Sequence, residues 1–253
     1  MASKYKINIT NLKKSFGDKQ VLKGIDLKVT KGQSLVVIGG SGAGKSVLIK
    51  SISTLMRPTS GSIKVDGTEI SRIRNKQRYE LMEKFGYLFQ GGALFDSLKI
   101  WQNVSFRLIN GKKLAKKEAK DLAVEVLDKV GLKADVANLY PSQLSGGMQK
   151  RASLARVIAS NPEIIFFDEP TTGLDPIMSD VINDLIVKSS KELGATTVTI
   201  THDINSAKKI GDKVAMLYDG KIIHYGDMKD IENSGNEHLD QFIGGRAKGP
   251  IEF

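Results

Sequence analysis

Residues 35–46 read LVVIGGSGAGKS, an apolar run followed at once by a glycine-rich loop that ends in lysine and serine. Four consecutive apolar residues before Gly39-Gly40 predict a short strand that is buried on both faces. A helix is expected from Lys45 to about Leu55, where Arg57-Pro58 would end it. The spacing G-x-x-x-x-G-K-[ST] between a strand and a helix indicates a phosphate-binding loop.

Each residue type in this loop has a chemical reason to be there. Glycines allow backbone N–H groups to surround phosphate oxygens, and the N-terminus of the next helix adds its dipole. The Lys45 ammonium is expected to neutralise the β- and γ-phosphates of a nucleotide, and the Ser46 hydroxyl to ligate Mg²⁺. The alternative, a glycine-rich turn without a ligand, fits the complete motif less well. The predicted nucleotide contacts of the loop are Gly39, Gly40, Ser41, Gly42, Ala43, Gly44, Lys45 and Ser46.

A second apolar strand, IIFF at 164–167, ends in two carboxylates, Asp168 and Glu169. The C-terminal end of a strand beside a phosphate loop is where an open α/β sheet binds its ligand. We expect Asp168 to hold Mg²⁺ and Glu169 to polarise the water that attacks the γ-phosphorus. Without the phosphate loop, the same Asp-Glu pair would be read as an ordinary loop start.

An α/β pattern is expected on both sides of residues 97–160, which are helical by the spacing of their apolar residues. Early strands alternate apolar and polar residues, and Asp66-Gly67 predicts a hairpin turn. Later, a helix is expected from about Pro176 to Glu192, and a second hairpin around Asp219-Gly220. Residues from about Ile231 onwards are polar and glycine-rich, and we expect them to pack loosely.

Composition excludes several classes of protein. A chain of 253 residues with 40% hydrophobic residues can bury a sizeable core, which argues against disorder. The absence of cysteine excludes disulfides, thiolate metal sites and cysteine nucleophiles, and favours an intracellular protein. We expect no signal peptide in MASKYKINIT and no membrane span, because no apolar run approaches about 20 residues. The net charge of +10 allows nucleic acid, anionic lipid or nucleotide phosphates as partners.

The stretch LSGGMQKR at 144–151 narrows the class. Ser145 can cap a helix, and Gly146-Gly147 leave the amides of its N-terminus bare, which makes a second anion site. By itself this pattern could be a plain capped helix. It resembles the signature of the ABC ATPases, usually LSGGQ, with Met148 in place of the glutamine, and the order of the motifs along the chain matches that family.

The resemblance covers roughly residues 5–230 and implies further roles. Phe16 lies where an aromatic ring stacks on adenine, and Gln90 matches the Q-loop that reports the γ-phosphate to the membrane partner. Asp175 matches the D-loop, and His202 matches the switch histidine. In the family the signature acts in trans, so the resemblance implies a homodimer that binds ATP and Mg²⁺. The implied groups are Glu169, His202 and Gln90 for catalysis, Ser46, Gln90 and Asp168 for Mg²⁺, and Phe16, Ser145, Gly146, Gly147 and Asp175 for ATP, besides the loop.

The implied fold is an α/β P-loop NTPase (RecA-like) core with an antiparallel β subdomain and an inserted α-helical subdomain. We expect a single nucleotide-binding domain over residues 1–253. Its expected parts are an α/β core of 1–96 and 161–230, a helical subdomain of 97–160 that carries the signature, and a C-terminal tail of 231–253.

Two branches of the ABC family fit poorly. The DNA-repair branch inserts a long coiled coil between the halves of the site, but Lys45 and Ser145 are only 100 residues apart. The translation-factor branch carries two cassettes, and this chain has one set of motifs. A transporter ATPase remains.

The stretch GGALFDSLKIWQNVSF (91–106) and the tail QFIGG…GPIEF (241–253) resemble the Mla phospholipid-transport ATPases and related MCE-linked systems. That resemblance implies an MlaE-like permease and an MCE-domain protein as partners, with a small regulatory subunit in some such complexes and no direct nucleic-acid contact. It also implies a peripheral position on the cytoplasmic face of the inner membrane. In that family the tail reaches the other ATPase subunit; a frayed tail is the alternative. The rival functions are a polar-solute importer of the amino-acid type and a nucleic-acid-linked ATPase.

Overall fold

The computed structural model describes residues 4–251, which form two compact units. Unit 1 is built from the chain up to Met82 and from Thr196 onwards, and unit 2 is Glu83–Ala195. Residues 1–3, the first of the N-terminal stretch discussed above, lie outside the described residues. So do residues 252–253, the last of the tail. Among residues 4–251 no helix is long and apolar enough to span a bilayer.

The secondary structure follows the expected alternation. The strands are β1 (Tyr5–Phe16), β2 (Lys19–Thr30), β3 (Ser34–Ile38), β4 (Ser60–Val65), β5 (Thr68–Glu69), β6 (Phe85–Leu88), β7 (Ile164–Asp168), β8 (Thr196–Ile200), β9 (Lys213–Tyr218) and β10 (Lys221–Asp227). The α-helices are α1 (Lys45–Ile52), α2 (Asn75–Glu83), α3 (Ile100–Val104), α4 (Phe106–Asn110), α5 (Lys116–Lys129), α6 (Gly146–Ile158), α7 (Pro176–Leu193), α8 (Ile204–Ile210) and α9 (Glu237–Ile243). Short 3-10 helices lie at Ala134–Asn138, Pro141–Gln143 and Met228–Asn233.

Unit 1 contains an antiparallel sheet in the order β2-β1-β4-β5. The alternating residues of β1 place Ile7 and Ile9 in the core, as the period-two pattern predicts. The turn between β4 and β5 has positive φ at both Asp66 and Gly67, 50° and 81°. A tight hairpin of type I′ requires that geometry, which explains the Asp-Gly pair.

Unit 1 also contains strands in the order β10-β9-β3-β8, in which β3 is parallel to both β8 and β9. Residues 35–38 of β3 are fully buried, as their unbroken apolar run predicts. Because the carboxyl ends of parallel strands meet at one edge of a sheet, the phosphate loop after β3 and His202 after β8 leave the sheet at the same edge. The backbone N–H of Thr201 donates to the carbonyl of Val37 at 3.2 Å and holds the two chain segments together there.

In unit 2, β6 is parallel to β7, with Phe85 opposite Ile164 and Leu88 opposite Phe167. The residue that follows this pairing on β7 is Asp168, so the carboxylates lie at the same edge as the segment after β6. Helix α6 packs closely on β6, because a Cβ on Gly86 would lie 2.6 Å from the Val157 side chain. Helices α3 to α6 fall within the stretch predicted as helical.

The C-terminal segment differs from the expectation. Loose packing is wrong for residues 231–243 and for Ile251, because Ile231, Leu239 and Ile251 are buried. Gln241, only 3% exposed, accepts from the N–H of Ile251 at 2.7 Å and donates to the carbonyls of Ile251 and Arg246 at 3.2 and 3.1 Å. Residues 244–250 are exposed, so the tail is a surface loop whose two ends are tied by one glutamine.

Replacing Gln241 with leucine would remove three hydrogen bonds and leave the N–H of Ile251 without its buried acceptor. We expect the free energy of unfolding to fall by about 1–3 kcal/mol. Trypsin should then cut faster after Arg246 and Lys248, which mass spectrometry of timed digests would measure. Glu237→Ala, at an exposed position of the same helix, is the control. Equal cleavage of all three proteins would contradict the prediction.

Candidate active site

The phosphate loop in unit 1 depends on three glycines in the left-handed region, Gly39, Gly42 and Gly44, with φ of 150°, 76° and 103°. A Cβ on Gly39 would lie 2.2 Å from the Leu217 carbonyl oxygen, so one side of the loop is pressed against β9. Apart from each glycine and its two neighbours in the chain, no heavy atom of residues 4–251 lies within 4 Å of a Cβ built on Gly40 or Gly42. The loop is therefore supported on one side and open on the other, which suits a bound phosphate chain.

Lys45 is the first residue of α1 and is 9% exposed. Its ammonium donates to the carbonyls of Gly39 at 2.7 Å and Gly40 at 3.1 Å. Ser46 follows it in the first turn, with an exposed side chain. The lysine therefore holds its charge inside the curve of the loop, where a nucleotide phosphate is expected.

Unit 1 holds two other predicted site residues, His202 and Phe16. His202 is exposed directly after β8, and the next residue, Asp203, caps α8 by accepting from the N–H of Asn205 at 3.0 Å. Phe16 ends β1 with its ring exposed and the Lys14 ammonium 4.9 Å from the ring centroid. Val21, just past the same hairpin, packs against Gly44. Unit 1 thus carries a phosphate loop, a histidine at the adjacent strand end and an exposed aromatic ring.

Asp168, at the end of β7, is 7% exposed. The Tyr87 hydroxyl donates to its Oδ2 at 3.1 Å. Burial, together with the negative charge of Asp168, raises the pKa of Tyr87, so the phenol keeps the proton that it donates. Tyr87 was not predicted. It lies 81 residues from Asp168 in sequence, and strand pairing brings the two together.

Glu169 has a left-handed backbone, with φ of 49°. Such a conformation costs a non-glycine residue about 1–2 kcal/mol and is found preferentially at functional sites. The Thr172 hydroxyl donates to its Oε2 at 3.1 Å, and the Thr172 N–H donates to its carbonyl at 3.3 Å. The half-buried carboxylate is therefore held in one orientation, as a group that must direct a water molecule requires.

Gln90 is exposed after β6, and its carbonyl accepts a hydrogen bond from the buried ammonium of Lys150. Burial lowers the pKa of Lys150, while the negative charges of Asp168 and Glu169 act in the opposite direction. Lys150 was also not predicted. A signal for it was present, because on α6 it falls at helical spacing from the buried Gly147 and Leu154.

The predicted signature residues begin α6. The Ser145 hydroxyl accepts weakly from the N–H of Met148 at 3.4 Å, and Ser145 and Gly146 are exposed. Gly147 is buried, and a Cβ there would lie 2.9 Å from the Met178 side chain. Asp175 caps α7 by accepting from the Met178 N–H at 2.9 Å. The N-termini of α6 and α7 are therefore neighbours, and both present exposed caps.

Residues 22–172 match a family model described as ABC transporter. The probable ribonucleotide transport ATP-binding protein mkl of Mycobacterium leprae (strain TN) is 38% identical over 245 residues, 97% of this chain and 70% of that protein. The intermembrane phospholipid transport system ATP-binding protein MlaF of Haemophilus influenzae is 37% identical over 247 residues, 98% and 93% of the two chains. The methionine import ATP-binding protein MetN 4 of Oceanobacillus iheyensis is 40% identical over 230 residues, 89% and 66%.

A solved structure is similar in three dimensions. The ATP-binding cassette MJ0796, in a dimeric post-hydrolysis state bound to ADP and Pi, superposes with a TM-score of 0.81. It is 32% identical, and the alignment covers 88% of this chain and 98% of that one. This likeness confirms the predicted P-loop NTPase fold of the α/β class.

Two adjacent glycines test how tightly the segment after Gln90 lies on α6. Gly92 has φ of 73°, and a Cβ there would lie 2.6 Å from the buried Ser153 hydroxyl. We expect Gly92→Ala to lower the free energy of unfolding by at least about 1 kcal/mol, because the left-handed backbone and the contact both oppose it.

Gly91→Ala is the matched control, since no heavy atom of residues 4–251, apart from Gly91 and its two neighbours in the chain, lies within 4 Å of its Cβ position. We expect that change to alter the free energy of unfolding by less than about 0.5 kcal/mol. Urea denaturation of both variants measures the difference. Equal stability of the two would mean that the segment does not depend on close contact with α6.

Proposed function

This chain belongs to the ABC transporter family, and from that premise we propose that it is the ATPase of a phospholipid transporter. It is an ATP-binding and ATP-hydrolysing transporter subunit. The observation that carries the lipid assignment is the similarity to MlaF, which spans 98% of this chain and 93% of that protein. The stretch at 91–106 supports the same assignment.

The residues present fit a nucleotide and Mg²⁺. Gly40 and Gly42 leave one side of the loop open, and Lys45 supplies a buried positive charge at its centre. Among residues 4–251 no cluster of three or more His, Cys, Asp or Glu could hold a metal by itself. Mg²⁺ is usually bound by one or two carboxylates together with phosphate oxygens, and Asp168 supplies such a carboxylate.

Each predicted site residue has a role in ATP binding or hydrolysis that follows from its chemistry. Lys45 binds the β- and γ-phosphates, with the amides of residues 39–46 around them, and Phe16 stacks on the adenine. Ser46, Gln90 and Asp168 hold Mg²⁺, which neutralises phosphate charge when bound. Glu169 polarises the attacking water, and His202 contacts the γ-phosphate from the adjacent strand end.

A second copy of the chain is expected to complete the site. Ser145, Gly146 and Gly147 begin a helix whose exposed N-terminus suits a γ-phosphate bound by the partner, and Asp175 begins the neighbouring helix. The similar cassette MJ0796 was solved as a dimer with ADP and Pi. We propose a homodimer in which each signature faces the nucleotide of the other copy.

The partners follow from the lipid assignment. We propose an MlaE-like permease that contacts residues 90–106, an MCE-domain protein in the same complex, and a small regulatory subunit where the system has one. The ATPase would lie peripherally on the cytoplasmic face of the inner membrane. It would handle the nucleotide, while the cargo contacts only the other subunits.

A second candidate function is import of a polar solute. The methionine-import relative is 40% identical over 230 residues, and the relative named for ribonucleotide transport is 38% identical over 245. A nucleic-acid-linked ATPase rests only on the net charge of +10. The ATPase mechanism is the same for every proposed transport function, so the partner proteins distinguish a lipid transporter from a solute importer.

Gentle purification of the tagged protein from its native membranes, with mass spectrometry of proteins and lipids, tests the assignment. A polytopic permease with an MCE-domain protein and phospholipid is the expected result. Recovery of a permease with a solute-binding protein would agree with a transporter ATPase but would overturn the assignment of phospholipid as the cargo. Absence of any membrane protein, with turnover stimulated by DNA or RNA, would overturn the transporter function.

Glu169→Gln tests the catalytic role of Glu169. We expect ATP affinity to stay within about twofold and turnover to fall about a hundredfold or more, because the amide cannot polarise water as a carboxylate does. Nucleotide binding and phosphate release would be measured on the same preparation. Glu163→Gln, the same change on an exposed carboxylate just before β7, is the control. Near-normal hydrolysis by Glu169→Gln would remove Glu169 from this role.

A further inference from the structure

The segment 90–93, called here the Gln90 loop, is tied to α6 by two cationic side chains. The Lys150 ammonium donates to the carbonyl of Gln90. The Arg156 guanidinium donates to the carbonyls of Gly92 and Ala93, both at 2.7 Å. The loop therefore presents three main-chain carbonyls to one helix, and each accepts from a positive charge.

The backbone of the loop makes this possible. Gly92 and Ala93 both have positive φ, 73° and 51°, which turns their carbonyls towards α6. Ser153, midway between the two cations on the helix, fills the space beneath Gly92. Lys150, Ser153 and Arg156 are spaced three residues apart, so successive turns of α6 meet the loop. The contact is continuous rather than a single hydrogen bond.

Lys150 has a second set of neighbours. It is 8% exposed, and the charges of Asp168 and Glu169 act on it. A buried ammonium is stable only where acceptors and opposite charges replace its water. The Gln90 carbonyl is such an acceptor, and the negative charges of Asp168 and Glu169 favour the charged form of the lysine. One side chain thus joins the helix that carries the signature to the Gln90 loop, at a position where the charges of the two carboxylates act on it.

We propose that Lys150 is a positioning residue which, with Arg156, fastens the Gln90 loop to α6 so that loop and signature helix move as one body. Lys150 thereby sets the Gln90 carbonyl relative to Asp168 and Glu169. The proposal rests on the proposed function, because it assumes that Gln90 and the two carboxylates serve ATP hydrolysis. A displacement of α6 would then reach Gln90 directly.

A general structural role is the alternative, and Lys112 of unit 2, which is more exposed than Lys150, supplies a control for it. The Lys112 ammonium donates to the Ser160 carbonyl at 3.2 Å, so it too ties a main-chain carbonyl within unit 2. Its partner, Ser160, lies outside the Gln90 loop and is neither of the two carboxylate residues. A loss of activity caused only by a missing cation–carbonyl bond should follow Lys112→Met as much as Lys150→Met.

The first experiment measures the attachment itself. The chain has no cysteine, so Gly91→Cys and Ser142→Cys can carry two spin labels at exposed positions. Ser142 precedes α6, and Gln149 of α6 holds its turn by donating to the Pro141 carbonyl at 2.9 Å. Electron–electron double resonance on the full chain should give a narrow distance distribution, with a markedly broader one after Lys150→Met plus Arg156→Met. Unchanged width would overturn the fastening of the loop. This readout needs no ATPase activity, so it stands even where the proposed function fails.

The second experiment measures the positioning role. In the full chain we expect Lys150→Met to lower kcat about tenfold or more with KM for ATP within about twofold, since a hydrogen bond to a charged group is lost away from the phosphate loop. Lys150→Arg, which retains the cation, should recover part of kcat. Equal losses for Lys112→Met and Lys150→Met, or no recovery by arginine, would overturn the proposal. Loss of ATPase activity in the parent protein would instead overturn the proposed function.

Discussion

The phosphate loop keeps its shape because a buried ammonium binds its main-chain carbonyls. Lys45 is 9% exposed, and a charge at that depth is stable only where polar groups replace its water. The carbonyls of Gly39 and Gly40 do so. Gly39 can turn inward because its φ of 150° suits glycine, and a Cβ there would meet Leu217. The end of β3, the course of the loop and the start of α1 are all determined by this arrangement.

Unit 2 uses the same interaction for a different purpose. Arg107 donates to the carbonyl of Phe85 at 2.5 Å, and Lys150 and Arg156 donate to the Gln90 loop. In each case the cation lies on a helix and the carbonyl lies at or just beyond an end of β6. A helix attached in this way carries the strand end with it, so the position of the helix and the position of the functional residue are not independent. Hydrophobic packing alone, being non-directional, would allow the two to slide.

Much of the fold could be predicted because its signals are local. Strands β3, β7 and β8 consist mainly of apolar or β-branched residues, and both Asp-Gly hairpin turns lie where the sequence predicts them. Helix α2 (Asn75–Glu83) was not predicted, because it has few apolar residues and no clear periodicity. The packing of the tail was missed for another reason. A single buried glutamine, Gln241, holds atoms ten residues away, and no composition rule predicts such a contact.

The site shows the same division between local and distant signals. Lys45, Ser46 and the carboxylates after β7 were predicted because each motif is contiguous in sequence. Tyr87 and Lys150 act on residues 81 and 60 positions away, and only the fold brings them there. Yet a lysine on the buried face of a helix cannot remain charged without acceptors, so Lys150 implies a polar partner inside unit 2. Which carbonyl serves depends on the left-handed Gly92 and Ala93, whose backbone conformation turns the loop towards the helix. A lysine at a buried helical position in the sequence thus predicts that an acceptor lies near it. The backbone conformation of the facing loop determines which carbonyl is that acceptor.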